Sequence, residues 1–99
     1  MEILQLQAML RASQIPHEMR LRNGGRQLFY PNSEFPVCDV IEFPGSYGYE
    51  QDKLELMGLL TPEEEKADSV VGFLTARNVF ERIRAHHRHR GMQKEQEDD

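Results

Sequence analysis

The tripeptide Asn23-Gly24-Gly25 sits between two short alternating stretches and constrains the fold most. Residues of this kind accept the positive φ angles of a tight hairpin turn, which most side chains resist. Before it, His17–Arg22 (HEMRLR) places Met19 and Leu21 on one side. After it, Gln27–Tyr30 places Leu28 and Tyr30 on one face and Phe29 on the other, and Pro31-Asn32-Ser33 breaks the strand. The chain is thereby committed to an antiparallel pair early on.

Pro36–Phe43 (PVCDVIEF) is the strongest strand in the sequence. Cys38 and Val40 lie on one face, and Val37, Ile41 and Phe43 on the other with Asp39 among them. Two largely apolar faces suit a central strand. Pro44-Gly45 ends it, and Gly45-Ser46-Tyr47-Gly48-Tyr49 forms a Gly/aromatic loop. Lys53–Leu59 reads as a fourth strand paired with the third, although its Leu, Glu, Lys and Met also favour a short helix.

Helices are expected at both ends. From Glu2 to about Ser13, Ile3, Leu6, Met9 and Leu10 share one face at helical spacing. Pro16 disfavours helix at Ile15. Thr61-Pro62-Glu63-Glu64 is a helix start, with Thr as cap, Pro at the first position and Glu64 closing a capping box. That helix is short, because Val70-Val71-Gly72-Phe73 looks extended. Thr75 caps the last helix, with Ala76, Val79, Phe80 and Ile83 facing the core. It is expected to reach Arg88–Arg90 and stop at Gly91. The resulting expectation is an α+β fold: a four-stranded antiparallel meander sheet with N- and C-terminal helices packed on one face. A single domain spans residues 1–90, followed by a disordered acidic tail over 91–99.

Composition excludes several classes. At 99 residues there is room for one core. The 38% hydrophobic and 29% charged content is polar for a globule but not that of a disordered chain. No apolar run approaches the roughly 18 residues of a membrane span, and MEILQLQAML lacks a basic leader and cleavage pattern. One cysteine cannot form an internal disulfide, so a cytoplasmic setting is expected.

The net charge of −5 is unevenly placed. Residues 34–68 carry ten acidic and two basic groups, and residues 69–94 carry six basic and one acidic. Such blocks either offer an acidic face to a basic partner or neutralise one another within the fold. On the first alternative, the partner-binding candidates are Tyr47, Tyr49, Glu50, Asp52, Glu63, Glu64 and Glu65. Tyrosines on a loop serve equally as interface anchors or as lids on a small core.

His86, His87 and His89, with the lone thiol of Cys38, are the candidate zinc ligands. Imidazole and thiolate both bind zinc, and His86 and His89 are neighbours on a helix. Against this, Arg84, Arg88 and Arg90 repel a cation, and the paired Cys spacing of a zinc module is missing. Cys38 reads otherwise as inert core. The Arg/His-rich helix can also track phosphates, but it lacks stacking aromatics and an acidic tail follows, which disfavours direct nucleic-acid binding. No paired nucleophile and base, phosphate loop or metalloprotease motif is present, so an enzyme is not expected.

The segments GSYGYEQ, LELMGLLTPEEE and VVGFLTARNVFERI, with QIPHEMRLRNGGRQLFYPN and VCDVIEF upstream, resemble a family of small prophage and mobile-element proteins of Gram-positive bacteria. The resemblance covers about Leu10 to His87. Arg77-Asn78 departs from it, standing where acidic residues are expected. Small acidic prophage proteins are similar in kind to anti-CRISPR inhibitors. The resemblance therefore implies a phage-encoded interaction protein of the bacterial cytoplasm that inhibits a host defence protein, a type II CRISPR effector nuclease first. A small zinc-binding regulatory domain and a phage nucleic-acid-metabolism accessory protein are the alternatives.

Overall fold

Ile3, Leu6 and Leu10, spaced three and four apart, are the buried stripe of α1 (Glu2–Ala12). The structure, a computed structural model, describes the backbone of residues 1–97 and the side chains of residues 1–90. After α1 the chain turns back through Gln14, at positive φ, and the Ile15 N–H donates to the Leu10 carbonyl at 2.9 Å. Strands β1 (Glu18–Arg22) and β2 (Gly25–Tyr30) follow, joined by the two-residue turn Asn23-Gly24 with both residues at positive φ. Then come β3 (Cys38–Glu42), a 3₁₀ turn (Tyr49–Gln51), β4 (Leu54–Met57), α2 (Pro62–Ala67), β5 (Val70–Leu74) and α3 (Ala76–Glu97).

The sheet has five antiparallel strands in sequence order, β1-β2-β3-β4-β5, so β3 is central. This corrects the expected four. The extended Val70–Leu74 segment pairs with β4 and becomes an edge strand, because its apolar residues align with those already in the sheet. Met19, Leu28, Val40, Leu56 and Val71 face one another in register across all five strands. The middle three are fully buried.

α1 and α3 pack together. Their residues Ile3, Leu6, Leu10, Val79, Phe80 and Ile83 join Leu28, Tyr30, Val40, Leu54 and Leu56 in one buried cluster. The ends of the helices are tied by acidic side chains. The Glu42 carboxylate is buried and accepts from the Ile3 N–H at 3.1 Å. The Glu2 carboxylate accepts from the Ala76 N–H at the start of α3, and Thr75 Oγ accepts from the Asn78 N–H at 3.1 Å. Carboxylates at helix N-termini meet orphan donors and the positive end of the helix dipole.

α3 continues through Gly91, where the sequence suggests a stop. A helical glycine costs only about 1 kcal/mol relative to alanine. The backbone of residues 91–97, where the sequence suggests a disordered acidic tail, belongs to α3, and residues 98–99 and all side chains beyond Arg90 lie outside the described residues.

α2 is capped as its sequence requires. Thr61 Oγ accepts from the Glu64 N–H at 3.2 Å, and Glu64 Oε1 accepts from the Thr61 N–H at 2.8 Å. The same carboxylate receives Arg82 of α3 in a two-pronged pair at 2.7 and 2.8 Å. Arg82 also donates to the Leu59 carbonyl at 3.0 Å and to Asn78 Oδ1 at 2.8 Å. The Arg82 and Glu64 side chains are only 18% and 23% exposed, which sets this pair apart from weak surface pairs. Here the acidic and basic blocks do neutralise each other.

The Arg82 guanidinium and the Thr61 N–H hold the Glu64 carboxyl down at about 2, against an ordinary 4.5. A proton therefore favours the unfolded chain. The stability from this group is full above pH 4.5 and is lost as the pH falls from there towards 2. In urea unfolding at pH 5 and pH 3, Glu64→Gln is expected to lose less stability between the two than the native protein does.

Candidate functional site

The loop between β3 and β4 is held by its own backbone. The Ser46 N–H donates to the Phe43 carbonyl at 2.9 Å, the Tyr49 N–H to the Ser46 carbonyl at 3.1 Å, and the Lys53 N–H to the Gly48 carbonyl at 2.9 Å. Ser46 Oγ accepts from the Phe43 N–H at 3.3 Å, and Glu55 Oε1 accepts from the Tyr47 N–H at 2.9 Å. This web makes the tyrosine loop a fixed turn ending in the 3₁₀ segment.

The loop leans on an irregularity in β5. Leu54 pairs with Leu74 and Leu56 with Val71, so Gly72 and Phe73 both stand opposite Glu55. Two residues opposite one make a β-bulge, which bends a strand and re-aims a side chain. Phe73 takes φ of +60° and is 56% exposed. Its N–H faces the Tyr47 carbonyl at 3.4 Å. Gly72 permits the contact, since a Cβ there would lie 2.3 Å from Tyr47 Cβ. Gly48 does the same from the loop side: its φ is +94°, and a Cβ would lie 3.0 Å from the Phe73 backbone.

Between loop and bulge lies an open cavity of about 420 Å³, with Tyr47, Tyr49, Glu50 and Phe73 in its lining. Three of the residues expected to bind a partner are thus brought together. Asp52 is adjacent in the loop but accepts from the Glu2 N–H at 3.4 Å. Glu63 and Glu65 are exposed on α2, which contributes no residue to the cavity lining. Glu64 is taken up by Thr61 and Arg82. Phe73 was not among the expected site residues. The signal for it is the isolated glycine in Val70-Val71-Gly72-Phe73-Leu74, since Gly inside a strand marks a bulge or a close backbone approach.

No family model matches this chain, and neither a curated protein nor a solved structure matches it.

The expected zinc ligands are placed differently. Cys38 is buried on β3 opposite Tyr30, and burial, then the neighbouring Asp39 carboxylate, pushes its thiol up to about 12. His86 stands edge-on to Tyr30, with ring centroids 5.5 Å apart, and its Nδ1 lies 2.8 Å from the Tyr30 hydroxyl. Burial, followed by the charges of Arg90, His89 and His87, lowers the His86 pKa. Burial raises that of Tyr30. Both shifts favour the neutral forms of the two groups, and the imidazole tautomer sets which of them donates. Among the described residues, no group of three or more His, Cys, Asp or Glu is gathered as a metal-ligand set. None of the described helices is long and apolar enough to cross a membrane.

Proposed function

We propose that this chain is a non-enzymatic protein-binding module that inhibits a host defence protein in the bacterial cytoplasm. Its binding surface is the tyrosine loop together with Phe73. The observation that supports this reading is the joint exposure of Tyr47 and Phe73 beside Tyr49 around one open cavity. Aromatic side chains on a fixed loop contribute large contact area at low entropy cost, and Tyr is enriched among the residues that dominate binding energy. The Cys38 thiol, buried and with a raised pKa, is a poor nucleophile.

The prophage resemblance directs the search for the partner to defence proteins, and a type II CRISPR effector nuclease is the first to test. Pull-down with that nuclease, with and without guide RNA, and its DNA cleavage in the presence of the protein are the measurements. Binding with slowed cleavage is expected. The Tyr47→Ala/Tyr49→Ala double variant is expected to bind at least tenfold more weakly, the weight of hot-spot truncation at about 1.4 kcal/mol or more. Glu63→Lys/Glu65→Lys leaves the loop intact and tests α2 separately. Absence of binding together with unchanged cleavage overturns this partner.

A further inference from the structure

We infer that the cavity between the tyrosine loop and the β5 bulge receives an arginine side chain of the protein partner. This deepens the reading above and rests on it.

Three observations converge. The first is the lining: Tyr47, Tyr49 and Phe73 supply aromatic surface, and Glu50 supplies the only charged side chain among the described lining residues. Aromatic rings attract cations through their negative faces, and guanidinium stacks on them more readily than ammonium because it is planar and weakly hydrated.

The second is what the loop's acids already do. Glu55 accepts from the Tyr47 N–H, and Asp52 accepts from the Glu2 N–H. Glu50 is exposed and makes no hydrogen bond or ion pair among the described residues. It is the acid of this loop left to meet an incoming charge. The third is the size: about 420 Å³ lies within the roughly 300–1,000 Å³ of pockets that take a discrete group.

The same lining argues against other occupants. An anion meets Glu50 and no lining cation. A wholly apolar group buries the Glu50 carboxylate without a partner, which is costly. Arginine satisfies both parts of the wall, its plane against the rings and its N–H fork towards Glu50.

The test uses the whole folded protein and three small probes, N-acetyl-arginine methylamide, its lysine counterpart and the neutral isostere N-acetyl-citrulline methylamide. Amide shifts are followed by ¹⁵N–¹H spectra during titration. The arginine probe is expected to give saturable shifts at residues 47–51 and at Phe73. The citrulline probe is expected to give none at the same concentrations, and the lysine probe is expected to bind more weakly. Glu50→Gln, a surface change that leaves the fold intact, is expected to weaken the arginine probe about tenfold, the loss of one charged hydrogen bond. Phe73→Ala is expected to weaken it further with the rest of the spectrum unmoved.

Shifts absent from the cavity, equal response to citrulline, or lysine binding as tightly as arginine would overturn the inference. The two proposals fail separately. If the nuclease binds in a Tyr47-dependent way while the arginine probe does not, the inference falls and the partner stands. If the probe binds and the nuclease does not, the pocket stands and the partner falls.

Discussion

Adding one methyl group at Gly72 unseats the tyrosine loop: Gly72→Ala is expected to unfold about 1–3 kcal/mol more easily and to lose the binding surface as well. The Cβ of alanine there falls 2.3 Å from Tyr47 Cβ and 3.2 Å from the Tyr47 carbonyl oxygen. Neither atom is the loose end of a flexible side chain, so loop or strand must move. The backbone of Gly72 is not at positive φ, so the effect is steric and not conformational. For a domain of this size the midpoint of thermal unfolding drops on the order of 10 °C. Chymotrypsin, which cuts after tyrosine, is expected to cleave the freed loop faster. An unchanged midpoint with unchanged cleavage would show that the loop is not seated on Gly72.

Leu28→Ala is expected to cost about 2–5 kcal/mol, the range for truncating a fully buried leucine. Total stability for a domain of this size is about 5–15 kcal/mol, so the variant sits near the edge of folding. Leu28 is one of the three inner residues of the apolar row across the sheet, facing Met19 on one side and Val40 on the other. Leu21→Ala is the matched comparison. Leu21 is two residues from Met19 on the same strand, so it shares the face of Leu28, yet it is 79% exposed. Its truncation is expected to shift stability by no more than about 0.5 kcal/mol. Urea unfolding of both variants checks the contrast, and equal losses would place the core elsewhere.

The pair of leucines shows where alternation stops being informative. A period of two assigns Leu21 and Leu28 to one face. It does not say how far along that face the core extends. The same limit applies to the acidic residues. Glu63, Glu64 and Glu65 are consecutive and look alike as a charged run. Only the packing of α3 against the α2 start turns Glu64 to Arg82 and leaves its neighbours exposed.

Charge blocks were a partial guide for the same reason. They placed attention on Tyr47, Tyr49 and Glu50, which do share a cavity. They did not separate Glu50 from Asp52, although one is uncommitted among the described residues and the other holds the Glu2 N–H. The histidines were conspicuous by spacing alone. The ring of His86 instead turns to the Tyr30 hydroxyl, a contact spanning 56 positions that helical periodicity does not encode.

What the amino-acid order determined by itself was local. Asn23-Gly24 makes its turn, Thr61-Pro62-Glu63-Glu64 its capped helix start, and Pro36–Phe43 a central strand, whose paired part is Cys38–Glu42. Each signal acts over a few residues, through dihedral preference, a reachable cap or alternation. The tertiary structure alone decided that Val70–Leu74 joins the sheet, that its bulge aims Phe73 at the tyrosine loop, and that Arg82 closes on Glu64. These depend on segments brought together by burying one shared core, and no short window of sequence contains both halves of such a contact.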